Sequence, residues 1–181
     1  MPAIVSLLRA VNVGGHNMVK MDALREIYQS LGLRNPQTYV QSGNVVFRSD
    51  AKDLARLRKR IEDAIEQACG FRAPVVLRSS AELKDVIRRN PFAKRTGIEP
   101  NRLLVSFLSD SPPAEAREKI LLLKAGPEEL LLDGRELYIY YRDGFAKSKL
   151  TPALLERTLK VSGTARNWNT VTKLLEMAEN L

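Results

Sequence analysis

Apolar and polar positions follow two rhythms along this chain, and the switch between them marks its elements. Ile4 to Leu8 is a short apolar run bounded by polar residues, which predicts a strand. Asn12 to Lys20 has no rhythm and contains Gly14 and Gly15, so it is a loop. Met21, Leu24, Ile27 and Leu31 then recur at helical spacing, and Gly32 sits where a left-handed cap ends such a helix. Thr38 to Gln41 and Val45 to Phe47 are short strands around Ser42-Gly43-Asn44, a tight turn. A second helix carries Leu54, Leu57, Ile61, Ile65 and Ala68 and stops at Gly70, and Val75 to Leu77 is a strand. The order is β-α-β-β-α-β.

The second half repeats this rhythm without repeating the sequence. Ser79 with Glu82 three residues on has the form of a capping box, and its helix ends near Asn90-Pro91. Phe92 to Arg102 has no clear period, so residues 92–102 are taken as a linker between subdomains at 1–91 and 103–181. Leu103 to Leu108 is a strand. Asp110 or Ser111 caps a helix with prolines in its first turn, and that helix ends at Gly126-Pro127. Leu130 to Leu132 and Leu137 to Tyr141 flank Asp133-Gly134, a strong hairpin turn. Thr151-Pro152 opens a helix to about Leu159, a short element follows, and Trp168, Val171, Leu174, Leu175 and Ala178 share one side of a last helix. The chain is therefore α+β, two tandem βαββαβ-type halves packed together. Strands such as Leu103–Leu108 are apolar on both faces, which predicts that both faces are covered.

Topology then points to a site. In a βαββαβ half with antiparallel neighbours, the first and third strands are adjacent. The loop after the first strand meets the hairpin between the second and third. Arg9, Asn12, Gly14, Gly15 and His16 are expected beside Ser42, Gly43 and Asn44. Glycine N–H groups, a helix N-terminus and an arginine suit an anion. The plainer reading is that the glycines only serve turns. A second polar cluster is Arg166-Asn167-Trp168-Asn169-Thr170, where asparagines could hydrogen-bond a ligand, or Asn167 could simply cap a helix. Ser148 and Lys149 could join it, since a buried lysine can activate a serine, although adjacent residues rarely face each other.

Composition narrows the chemistry. The 181 residues carry 29 Lys and Arg against 21 Asp and Glu, a net charge of +8, which favours anionic partners. Cys69 is the only cysteine and His16 the only histidine, so disulfides, thiolate metal sites and multi-histidine sites are excluded. No cofactor is implied. No apolar run approaches the roughly 20 residues that span a bilayer, and the first residues do not read as a secretory signal. A cytoplasmic protein is expected. The RNA-recognition fold has the same element order but needs aromatics on its first and third strands, and here only Phe47 qualifies.

Leu8-Arg-Ala-Val-Asn-Val-Gly-Gly15, Met21-Asp-Ala-Leu24, Thr38-Tyr-Val-Gln-Ser-Gly-Asn-Val-Val-Phe47, Ser148-Lys-Leu150 and Thr164-Ala-Arg-Asn-Trp-Asn-Thr-Val-Thr-Lys-Leu174 resemble the bacterial family DUF1697, a domain of unknown function. The resemblance implies two ferredoxin-like (α–β plait) subdomains and supplies no activity. It singles out Arg9, Asn12, Gly14, Gly15, Ser42, Gly43, Asn44, Ser148, Lys149, Arg166, Asn167, Trp168, Asn169 and Thr170. Position 10 is Ala where the family often has Gly. The functional expectation is binding of a phosphate-bearing ligand, either a nucleotide or nucleic acid backbone, at the glycine-containing loop cluster. The alternatives are an enzyme on a small polar substrate using Ser42, Ser148 or Lys149, and a non-catalytic assembly subunit. A homodimer is compatible with the apolar sheet faces.

Overall fold

The computed structural model describes residues 1–123 and 126–181. Its first half runs β1 (Ala3–Leu8), α1 (Met21–Ser30), β2 (Arg34–Tyr39), β3 (Asn44–Arg48), α2 (Leu54–Cys69), β4 (Val75–Ser79) and α3 (Ser80–Arg88). After a 3-10 turn at Pro100–Arg102 the order recurs as β5 (Leu103–Leu108), α4 (Ala114–Leu122), β6 (Glu129–Asp133), β7 (Glu136–Tyr140), α5 (Pro152–Leu159), β8 (Gly163–Asn167) and α6 (Trp168–Glu179). Each half forms a four-stranded sheet, β2-β3-β1-β4 and β6-β7-β5-β8. All neighbours are antiparallel. The fold is α+β, with two ferredoxin-like βαββαβ subdomains in tandem, each extended by one helix.

Two compact units result: Met1–Asp85 together with Lys173–Leu181, and Val86–Thr172. The boundaries fall inside α3 and α6. Residues 92–102 belong to the second unit, where Phe92 is buried with its ring 5.8 Å from that of Tyr140.

Local chemistry explains most element ends. Asp53 accepts a 2.9 Å bond from the Arg56 N–H at the start of α2, and Gly70 closes that helix at φ 76°. Ser79 and Glu82 exchange bonds of 2.7 and 3.1 Å, a capping box for α3. Thr151 caps α5, with Pro152 in its first turn. Most strand ends differ by a residue or two from the sequence reading, β2 ending at Tyr39 and not Gln41, and three starts differ for a local reason. β2 begins at Arg34, because an edge strand tolerates Pro36 and absorbs Asn35 as a register shift. Asn44 is the first residue of β3 and not part of the turn, since its side chain is buried. α4 starts at Ala114, so Pro112 and Pro113 precede it, and Asp110 bonds the N–H of Ser111 instead of capping the helix. The expected continuation of that helix to Gly126 crosses Lys124 and Ala125, which lie outside the described residues.

In the first unit, Ile4, Leu8, Val45, Phe47 and Leu77 meet Leu24, Tyr28, Ile61 and Ile65 of the helices. Val5, Leu7 and Val46, on the other face of the sheet, are buried as well. In the second unit, Leu108, Leu137 and Ile139 meet Ile120, Leu155 and Leu159. The repeat extends to single backbone bonds. Leu8 N–H donates to Gly43 O at 2.8 Å, and Arg9 N–H to Pro74 O at 2.9 Å. Their counterparts are Leu108 N–H to Arg135 O and Ser109 N–H to Ser162 O, both 2.8 Å.

Burial also sets a pH limit. Tyr28 is fully buried and shares a 2.7 Å hydrogen bond with Ser6, and burial raises its phenol above the ordinary 10.0. Tyr138, whose hydroxyl donates to Val86 O at 2.7 Å, is raised for the same reason, and Tyr141 is pushed up to about 12. A phenol with a raised folded pKa favours the folded state below pH 10. Above it the unfolded chain releases protons that the folded chain retains, so stability falls. Denaturant titrations between pH 8 and pH 11.5 are expected to show stability flat to about pH 10 and declining beyond it. Tyr28→Phe is expected to shallow that decline, and an unchanged slope would remove Tyr28 from the cause.

Candidate functional site

The loop after β1 and the β2–β3 turn meet at one end of the first sheet, through Leu8, Val11 and Asn12 on one side and Gln41 and Gly43 on the other. β1 ends at Leu8, and the β2–β3 turn spans residues 40–43 beside it. Asn12 joins the two segments. Its Nδ2 donates to Gln41 O at 2.7 Å and to Val19 O at 3.0 Å, and its Oδ1 accepts from Val19 N–H at 2.8 Å. Asn17 returns a bond to Ala10 O, and the Asn12 N–H reaches Asn17 O. Residues 10–19 are thus a self-bonded loop, not a slack one. Val13 and His16 form a bridge across its tip, with Gly14 and Gly15 between them.

The hairpin is equally determined. Asn44 is buried and donates to Tyr39 O at 3.0 Å and Ser42 Oγ at 3.1 Å. Gly43 has φ 78°, and a Cβ there would lie 2.7 Å from the Leu8 Cβ. Four side-chain-bearing residues at this sheet end take left-handed backbone conformations: Asn12 at φ 54° and Asn17 at φ 50°, residue types that tolerate it, and Ala10 at φ 54° and Val40 at φ 49°. For a β-branched residue that is a true outlier, and it sits next to the loop cluster.

A groove of about 530 Å3 opens at this sheet end, lined by Met18, Val19, Lys20, Met21, Asp22 and Gln41. It lies at the start of α1. Lys20 occupies the N-cap position, and no side chain caps the helix. Asp22 in the first turn is paired with Arg25. The surroundings are apolar as well as polar, because Val13, Met18 and Val40 are 62%, 60% and 52% exposed. Sequence reasoning read Met21 as helix face and Gln41 as strand, and placed neither these nor Met18 and Lys20 at a site. The available signal was Lys20, standing where a capping Ser, Thr, Asp or Asn would normally precede the helix.

The second polar cluster belongs to the other unit. Ser148 and Lys149 lie between β7 and α5. Ser148 Oγ accepts from Leu150 N–H at 3.0 Å, a local turn, while Lys149 is exposed. Arg166 and Asn167 end β8, so this stretch is a strand and then a helix, rather than a helix start alone. Asn167 Oδ1 accepts from Thr170 N–H at 2.9 Å and thereby caps α6. Asn169 is exposed. Arg166 bonds Thr164 Oγ1 at 2.8 Å, and burial lowers its guanidinium to about 10. In the topology, this cluster sits at the sheet end opposite the β5–α4 loop and the β6–β7 hairpin. It is not the repeat counterpart of the first cluster.

Other chemistry is narrower still. Cys69 is half-buried, and burial raises its thiol. Among the described residues no group of three or more His, Cys, Asp or Glu is placed to hold a metal ion. No described helix is long and apolar enough to cross a membrane.

The family model described as "Protein of unknown function (DUF1697)" matches residues 1–138. The chain belongs to this DUF1697 family. The match contains the first unit up to Asp85 and the whole loop-and-hairpin cluster, and it stops short of Ser148 and Arg166. Among solved structures, the chain is similar to the conserved bacterial protein SP0830 from Streptococcus pneumoniae. The TM-score is 0.74 at 23% identity, over 98% of each chain. That likeness shows the DUF1697 chain's fold. No curated protein matches it.

Backbone geometry at this sheet end gives two predictions. Gly43→Ala meets both a left-handed φ and a 2.7 Å approach to Leu8, so it is expected to cost about 3 kcal/mol. Gly15→Ala, at φ 76° with nothing within 4 Å, is expected to cost only about 1 kcal/mol. Equal losses in chemical denaturation would discount the Leu8 contact. Ala10→Gly relieves the left-handed strain at position 10 and is expected to stabilise by up to about 1 kcal/mol. A destabilised variant would show that Ala10 does not carry that strain.

Proposed function

We propose that the first unit binds a small phosphate-bearing ligand, a nucleotide, in the groove at the start of α1. The observation that carries this reading is the uncapped N-terminus of α1 opening into that groove with Lys20 at its mouth. The first N–H groups of a helix lack intrahelical partners and present partial positive charge, so an anion there gains hydrogen bonds and dipole together. The salt pair with Arg25 offsets the charge of Asp22, the acidic group of that first turn. Met18 and Met21 supply flexible apolar contact of the kind a nucleobase or sugar can cover. This combination favours a nucleotide over a bare nucleic acid backbone, which needs an extended line of cations. The net charge of +8 supports an anionic ligand in either case.

Calorimetric titration with nucleoside mono-, di- and triphosphates, inorganic phosphate and single-stranded oligonucleotides at low salt tests this reading. Saturable nucleotide binding is expected, weakened about tenfold by Lys20→Ala through loss of one charge-assisted contact. Absence of saturable binding to all nucleotides at low salt overturns it. Tight binding to oligonucleotides alone would replace the nucleotide with a strand.

A further inference from the structure

The edge strands of the two sheets occupy equivalent positions and are built in opposite ways. β2, the edge of the first sheet, is Arg34-Asn-Pro-Gln-Thr-Tyr39, with a register shift between Arg34 and Gln37. A proline, a charge and a bulge are the usual means of keeping an edge from pairing with another chain. β6, its counterpart, is Glu129-Leu-Leu-Leu-Asp133, without proline, lysine or bulge. The other edge of the second sheet, β8, is bordered by the 3-10 turn at Pro100–Arg102.

The hydrogen-bond phase of β6 follows from its neighbours. Leu108 N–H bonds Arg135 O, so the Phe107–Glu136 pair is the non-bonded kind and Glu136 turns its backbone groups toward β6. Asp133 and Glu136 are therefore a bonded pair. Alternation then directs the N–H and C=O of Leu130 and Leu132 outward from the sheet. Leu131 projects from the face opposite α4 and α5 and is 40% exposed. The helix α4, which packs over β6, adds two exposed leucines in its last turn, Leu121 at 61% and Leu122 at 77%.

We propose that β6 is a self-association edge, pairing antiparallel with β6 of a second copy of this chain about a two-fold axis at Leu131. The strand suits that occupant because it reads acid-Leu-Leu-Leu-acid in both directions. Centring on Leu131 places Leu130 opposite the second copy's residue 132, with outward backbone groups on both. Leu131 meets its own copy as a close non-bonded pair. Glu129 then lies opposite residue 133 of the second copy, and arginines offset that acid pairing. Arg95 holds Glu129 at 2.8 Å, and Arg142 stands 3.7 Å from it and is exposed. Arg89 holds Asp133 at 2.7 Å. Two-fold pairing gathers these cations around both carboxylates at each end of the new ladder.

Sedimentation equilibrium on the full chain, from about 1 to about 200 μM, is expected to show a monomer–dimer equilibrium within the range of modest interfaces. Leu131→Lys sets two like charges face to face at the axis and is expected to weaken dimerisation at least about tenfold. Because Leu131 is exposed, circular dichroism and thermal unfolding check that the variant still folds. The register is tested separately in a Cys69→Ser background. Leu131→Cys is expected to form an intermolecular disulfide on mild oxidation, and Leu130→Cys is not, because its opposite residue is 132. A monomer across the whole range overturns the proposal. So does a dimer indifferent to Leu131→Lys, or cross-linking that favours position 130.

Discussion

The loop end of the first sheet depends on how closely the turn at Gly43 can approach the last residue of the central strand. Leu8 is fully buried, and its N–H donates to Gly43 O. A side chain at 43 would collide with Leu8. That contact fixes where the β2–β3 turn sits. The turn fixes Gln41, and the carbonyl of Gln41 receives the amide of Asn12. Asn12 in turn sets Val19 and thus the entry into α1. The groove is therefore placed through a chain of short, saturated contacts that begins in the core.

Saturation also clarifies the asparagines. In the sequence alone they look like donors waiting for a ligand. In the fold, Asn12 uses both halves of its amide on the backbone, Asn44 is buried under its own hairpin, and Asn167 caps α6. A side-chain amide that holds two chain segments together gives a loop a fixed shape, and fixed shape is what a polar site on a loop requires. At the start of α1, the backbone N–H groups and Lys20 are left to meet solvent.

What was legible from the sequence was local. Ser79 with Glu82, Thr151 with Pro152, and Gly70 after an amphipathic run each act within one helical turn, and each appears where its chemistry demands. The order of strands was legible because apolar runs and turn residues alternate with helical spacing. β2 was partly missed because its first residues look like a loop, and the strand is held by its neighbour rather than by its own composition. The approach of the loop after β1 to the β2–β3 turn followed from topology. The engagement of Asn12 with Gln41, 29 positions away, did not. Nor did the groove at Lys20, since the mark it leaves in the sequence is an unremarkable lysine.

The repeat shows the same constraint solved twice with different residues. In the first unit the glycine beside the central strand's last leucine is Gly43, on the hairpin, and Val75 of β4 pairs with Leu8 from the other side. In the second unit Arg135 stands at the hairpin position that bonds Leu108, and the glycine has moved across to Gly163 of β8, opposite Leu108. A Cβ at 163 would lie 2.7 Å from Ser106 Oγ and 3.0 Å from Leu108 Cδ2. A buried leucine at the end of a central strand needs relief from one flank, and either flank can give it. Sequence identity between the halves therefore fades while the backbone bonds remain. Val5 still pairs with Arg78 as Val105 pairs with Arg166. The arginine read from the sequence as part of a terminal motif has a counterpart at the equivalent register position of the first sheet, visible only once the two ladders are aligned.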